Sequence, residues 1–164
     1  MQGVAIGTAG IYAAAPWLAM FATTQLSIVA SAAFVRHGLR VALARKTMQA
    51  VALLGSGACL LLASYAAHSV PIALVILCIG AGMLGCIGAG HGPNFLDLAP
   101  RHSALLFALS NTIATVPGVV GVAITGWLVD LTGSYDTPFL LAAAVSLAGT
   151  LAFALFGSAE PIVE

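Results

Sequence analysis

The chain has 164 residues, 61% of them hydrophobic and 6% charged, with a mean hydropathy of +1.10 and five Lys/Arg against five Asp/Glu. A soluble domain carries about a quarter charged residues, so this composition excludes a soluble enzyme, a disordered chain and a basic nucleic-acid binder. The unit that matters is instead the membrane span of ~20 apolar residues. Cys59, Cys78 and Cys86 all sit in apolar runs, with neither the paired spacing of a disulfide framework nor clustered histidines for zinc. Met1-Gln2-Gly3 has no basic start of a secretory signal, and the apolar stretch behind it is too long for one.

No charge occurs from Gly3 to Val35. Proline is tolerated in a first helical turn and tryptophan favours the membrane–water interface, so Pro16-Trp17 predicts the start of span one, residues 16–35. Residues 1–15 are then expected to be a leftover, either an outer connection or the end of an earlier helix. Four of the five basic residues follow in Arg36–Lys46. Span two is predicted at 47–67, a turn at His68–Pro71, span three at 72–92, and a polar connection at Pro93–His102 with Asp97 and Arg101. Span four is predicted at 103–129, interrupted by Pro117-Gly118. A turn at Asp130–Pro138 leads to span five, 139–157, and residues 158–164 form a tail.

Lys and Arg favour the cytoplasmic side of a membrane. With the 36–46 loop there, alternation puts Pro93–His102 and the C-terminus on the same side. All five basic residues then become cytoplasmic, and the outer turn holds only the acids Asp130 and Asp136. The apolar runs are continuous, without the ~10-residue alternation of a membrane barrel. The expected fold is therefore an all-α integral membrane bundle of about five transmembrane helices; the sequence leaves open which membrane it crosses.

Within the spans, Gly88-xxx-Gly92 is a small-xxx-small pair of the kind that lets helices pack closely. Span four carries Ser110-Asn111-Thr112 and then Pro117-Gly118. An interrupted helix with polar groups can line a solute pathway, or be a tolerated kink in a packed bundle. His91 ends span three beside Gly92-Pro93, where it reads as an interfacial histidine or as a proton relay. No Asp, Glu, Lys or Arg falls in mid-span, so a charged group facing a pathway must come from outside this sequence. Asp97 and Arg101 are spaced to pair if their connection is helical, a contribution of ~0.2–0.5 kcal/mol.

Asn94-Phe95-Leu96-Asp97-Leu98-Ala99-Pro100-Arg101-His102-Ser103 resembles the N-H-x-D-(I/L)-(A/G)-P-R-(Y/H)-(A/S) sequence of the anion:cation symporter family. That family lies within the major facilitator superfamily and includes sodium–phosphate, sialic acid, vesicular glutamate and plant-type phosphate carriers. Leu109–Thr112 and Thr115–Gly121 are similar to its next signature, Ala44–Gln49 to its V-R-K-x-x-Q stretch, and Ala15–Met20 to a span start. The resemblance implies the last five helices of a twelve-helix carrier, with residues 16–157 a partial C-terminal half and the N-terminal half missing. It also implies an anionic solute such as phosphate or a carboxylate, alternating access, and no cofactor beyond coupling to Na+ or H+. Phe95 stands where members carry a histidine or other polar residue, and Ala32 where many carry an acid near the basic loop.

On this reading Asn94, Ser110, Asn111 and His91 approach the transport pathway. Asp97, Pro100, Arg101, Arg45 and Lys46 hold helix ends as the carrier changes state, Pro117 and Gly118 allow bending, and Gly88 and Gly92 pack helices. The expected partners are the solute, the lipid bilayer and the rest of the carrier. The competing reading is a small five-span subunit that assembles or regulates without transporting. A membrane enzyme is disfavoured because no catalytic pair converges at one depth.

Overall fold

The computed structural model describes residues 6–65 and 69–161. These form α1 (Ile6–Arg36), α2 (Val41–Tyr65), α3 (Val70–Gly85), a 3-10 turn (Cys86–Ala89), α4 (His91–Leu98), α5 (Ser103–Thr132) and α6 (Asp136–Phe156). Five stretches are long and apolar enough to cross a membrane: Tyr12–Arg36, Val41–Tyr65, Pro71–Leu98, Ser103–Thr132 and Asp136–Phe156. The all-α membrane fold read from composition is the fold observed. Ala66, Ala67 and His68, at the end of predicted span two and the start of its turn, lie outside the described residues. So do residues 1–5 and 162–164.

α2 begins at Val41 rather than residue 47, α5 ends at Thr132 rather than residue 129, and α6 begins at Asp136 rather than residue 139. Four further differences from the hydropathy reading bear on the architecture. First, α1 begins at Ile6, ahead of Pro16, so residues 6–15 are helical rather than a connection. A proline removes one backbone bond, and an apolar helix whose neighbours satisfy the freed group tolerates this. Second, predicted span three breaks at Gly90, whose backbone (φ −85°, ψ −113°) fits neither helix that it joins. Third, the polar connection at 93–102 is largely helical. α4 runs to Leu98 with Pro93 in its first turn, where a missing N–H is tolerated. Fourth, α5 continues through Pro117 without interruption.

The helices pack in the order α1–α3–α2–α6, with the 3-10 turn against both α1 and α2. Lipid gives helices no hydrophobic reason to associate, so the seams depend on small residues and close approach. Ala44, Ala52, Cys59 and Ala63 are the buried small side chains of central α2. A Cβ on Gly80 would lie 2.9 Å from the Cβ of Cys59, and one on Gly55 would lie 2.9 Å from Met83 Cγ, so both glycines are required at the α2–α3 seam. Gly57 meets Ala143 and Ser146 of α6, while Gly149 of α6 meets Leu53.

The α1–α3 seam adds a hydrogen bond: Thr23 Oγ1 donates to the Gly82 carbonyl at 2.6 Å, with carbonyls of its own helix as alternative acceptors. Interhelical bonds of this kind contribute about 0.6 kcal/mol on average in membranes. Thr23→Val, which keeps the shape, is therefore expected to lower stability by about 0.5–1.5 kcal/mol, measured by unfolding in mixed micelles.

α5 stands apart. It touches only α4 and α6, and none of its residues is buried. Ile113, Val119 and Val122 are 70%, 73% and 76% exposed on what is a thirty-residue apolar helix. Gly133 closes it in the left-handed conformation (φ +66°), donating its N–H to the Val129 carbonyl at 2.8 Å.

Candidate functional site: a polar clasp and cleft at one end of the bundle

The start of α2 brings two basic side chains of the 36–46 segment to four other elements. Arg45 Nε donates to Asp97 Oδ2 at 2.8 Å and Nη2 to Asp97 Oδ1 at 3.4 Å, a fork-to-carboxylate pair joining α2 to α4. Its Nη1 reaches Ser31 Oγ of α1 at 3.4 Å and the carbonyl of Ala89 at 3.3 Å. One guanidinium therefore ties α1, the 3-10 turn and α4 to α2 at the break before Gly90. The two side chains are 18% and 19% exposed, between the open surface and a dry interior. Lys46 Nζ donates to the carbonyl of Ala154 at 2.7 Å, satisfying one of the carbonyls that the last turn of α6 leaves without a helical partner.

This geometry corrects the expected Asp97–Arg101 pair. α4 ends at Leu98 and Ala99 turns away (φ −148°, ψ 80°), which carries exposed Pro100 and Arg101 off the helical face that Asp97 occupies. Ala32 lines the same cleft as Arg45 and Asp97, and Asp97 supplies the anion there.

Next to the clasp, a cleft of about 520 Å³ opens between α2, α4 and the end of α6. Gln49, His91, Asn94 and Ser158 are its polar residues, and Leu53, Phe153 and Phe156 are among its apolar ones. Gln49 Oε1 accepts from the His91 backbone N–H at 3.2 Å and lies 3.1 Å from His91 Nδ1. The close approach is possible because Gly90 has no side chain: a Cβ there would lie 2.5 Å from Gln49 Oε1. Asn94 is only 6% exposed, and its Oδ1 is buried without a hydrogen-bond partner. His91 and Phe95 meet edge to face, as do Phe95 and Phe107, and this aromatic chain joins α4 to the start of α5.

The residues selected from sequence are thus divided. His91 and Asn94 share the cleft, while Ser110 and Asn111 lie on the uncovered α5 and do not join them. Pro117 and Gly118 are exposed on α5, and nothing lies within 4 Å of a Cβ placed on Gly118. Gly88 packs against α1, where a Cβ would lie 2.6 Å from Thr24 Cγ2. Gly92 sits beyond the Gly90 break and meets only the Ile87 carbonyl at 3.5 Å, so the two do not form one helix face. Gln49 and Ser31 were missed as site residues, although an amide in an apolar span always needs a partner.

No family model matches the chain. Over 157 residues, 94% of its length, the chain is 32% identical to the chloroplastic ascorbate transporter of Arabidopsis thaliana. It has the same identity over the same length to probable anion transporter 1, chloroplastic, of Oryza sativa subsp. japonica. Over 154 residues it is 30% identical to the voltage-gated purine nucleotide uniporter SLC17A9 of Mus musculus. The matches cover 28%, 29% and 34% of these proteins, so the chain spans about a third of the length of the curated relatives it matches. With nearly all of its own length aligned to such carriers, the chain is similar to part of the transporters of the anion:cation symporter family.

Proposed function

We propose that the chain is part of a secondary carrier for an anionic solute that works by alternating access. The observation that carries this reading is the uncovered α5: a thirty-residue apolar helix bearing Ser110 and Asn111, with no buried residue. Polar groups inside a membrane need partners, and a second bundle closing on α5 would supply them and enclose a pathway. The matched relatives carry names specifying ascorbate, an anion or a purine nucleotide, solutes that share negative charge. All five basic residues of this chain lie at or between helix ends, so the cations that hold the solute in mid-membrane come from the rest of the carrier.

The clasp fits such a cycle. Arg45 and Asp97 hold the helix ends on the basic side, for which the charge distribution supports a cytoplasmic placement, so that this group of helices moves as a unit. Asn111→Ala in the complete carrier, reconstituted in vesicles and supplied with phosphate, ascorbate or ATP, is expected to reduce uptake at least about tenfold, the equivalent of about 1.4 kcal/mol. Unchanged uptake of the transported solute would remove Asn111 from the pathway. No uptake of any of the three by the unaltered carrier would sink the anion reading itself.

A further inference from the structure

We propose that His91 is a proton-binding site whose bound proton is received by Asn94. The inference rests on the transport reading for its purpose and goes beyond it by placing a proton-binding group within this chain. The argument begins with the hydrogen-bond pattern around Gln49. A backbone N–H can only donate, so the Gln49 atom facing His91 N at 3.2 Å is the carbonyl oxygen. That oxygen only accepts, so the Nδ1 lying 3.1 Å from it carries the hydrogen of the neutral imidazole. Nε2 is left with a lone pair: the orientation of one amide sets the tautomer of the ring.

Asn94 lies one helical turn further along α4, the spacing at which side chains are neighbours, and lines the same cleft. Its Oδ1 is a second acceptor, buried and without a donor. Leaving such a group unpaired costs about 1–3 kcal/mol. The neutral cleft thus holds two acceptors and lacks a hydrogen for them. One proton from the solvent at the cleft's mouth, bonded to Nε2, turns that nitrogen into a donor and gives Oδ1 its partner, directly or through one water. Only an N–H bond forms, and the charge of the ring rises by one.

The surrounding charges allow this. Among the described residues, His91 is the only ionisable side chain lining the cleft. On α2 the charged groups are Arg45 and Lys46, a turn before Gln49. Arg45 is paired with Asp97 of α4, and Lys46 is turned to the Ala154 carbonyl. The 3-10 turn contributes only the thiol of Cys86, which lines the opposite groove against α1. On the α5 side the ionisable groups are Arg101 and His102, both exposed in the turn. From α6 and the segment after it, Asp136 stands at the far end of the helix, and exposed Glu160 lies two residues past Ser158 of the cleft, its backbone N–H donating to Ser158 Oγ. At Gly90 the negative end of the preceding helix meets the positive end of α4, so the two dipoles oppose each other there.

The test is nitrogen NMR of the histidine-labelled chain in lipid nanodiscs, with the His91 signals assigned from their loss in His91→Gln. Neutral His91 is expected as the Nδ1–H tautomer, gaining one proton at Nε2 as pH falls. Asn94→Leu is expected to weaken that uptake about tenfold, and Asn94→Asp, nearly isosteric, to strengthen it. An Nε2–H tautomer, a ring that stays neutral across about pH 5–8 because water alone fills the cleft, or uptake indifferent to residue 94 would overturn the proposal. Proton binding is read without transport, so solute uptake that fails while these signals behave as expected would count against the carrier reading alone.

Discussion

Asp97→Ala should destabilise the folded bundle by about 1–3 kcal/mol, because it leaves the Arg45 guanidinium half-buried with only two long contacts, to Ser31 and Ala89. The range falls below that for a fully buried pair because each partner keeps nearly a fifth of its side-chain surface in contact with solvent. Arg45→Ala should cost a similar amount, since it removes the same pair together with the ties to α1 and the 3-10 turn. The double variant should cost less than the two single costs added together, with a coupling of at least about 1 kcal/mol. Arg101→Ala, at an exposed position in the turn, should stay within about 0.5 kcal/mol of the starting chain. Denaturant titration in mixed micelles measures all four. Coupling within about 0.3 kcal/mol of zero would show that the clasp is no more than a solvated surface pair.

Gly85→Val should have the other large effect, and Gly118→Ala almost none. At Gly85 a Cβ would collide with Thr23 Oγ1 and would lie 2.6 Å from the Met20 carbonyl, which is backbone and cannot swing aside. Overpacking by one or two methyl groups costs about 1–3 kcal/mol where neighbours can shift. Here α1 itself must move, and the Thr23–Gly82 hydrogen bond moves with it. The expected result is therefore a loss at or above the top of that range, seen as a lowered midpoint in the same titration and as faster hydrogen exchange along α1. Gly118 has open space around it, and alanine gains up to about 1 kcal/mol of helix propensity there. Equal costs at the two glycines would refute the packing account, because only at Gly85 would a side chain strike a neighbouring helix.

The division between sequence and structure follows from the range of each interaction. Hydropathy sums over about twenty neighbouring residues, so the five spans and the clustering of basic residues beside them were legible without coordinates. Break points were not. A run such as Val70–Ala89 is apolar throughout, and whether the chain bends beyond it at Gly90 depends on Gln49, forty-one positions earlier, occupying the space a side chain would fill.

Pairing was less legible still. Asp97 and Arg101 are neighbours in sequence, and a helical rule joins them. The helix stops between them, and Arg45, brought in by the packing of α2 against the 3-10 turn and α4, takes the carboxylate instead. Gly88 and Gly92 likewise share a spacing but not a face, because the helix that would align them is interrupted between them.

By itself the sequence determined the class of molecule, the presence of five apolar stretches, the clustering of its basic residues beside them, and the family pattern around Asn94 and Asp97. Those properties are additive along the chain or carried by contiguous residues. Only the tertiary structure decided which acid meets which base, which glycines are indispensable, and that a lone amide at Gln49 sets the chemistry of His91. Each of these depends on two segments far apart in sequence coming within a few ångströms, a distance that no local pattern encodes.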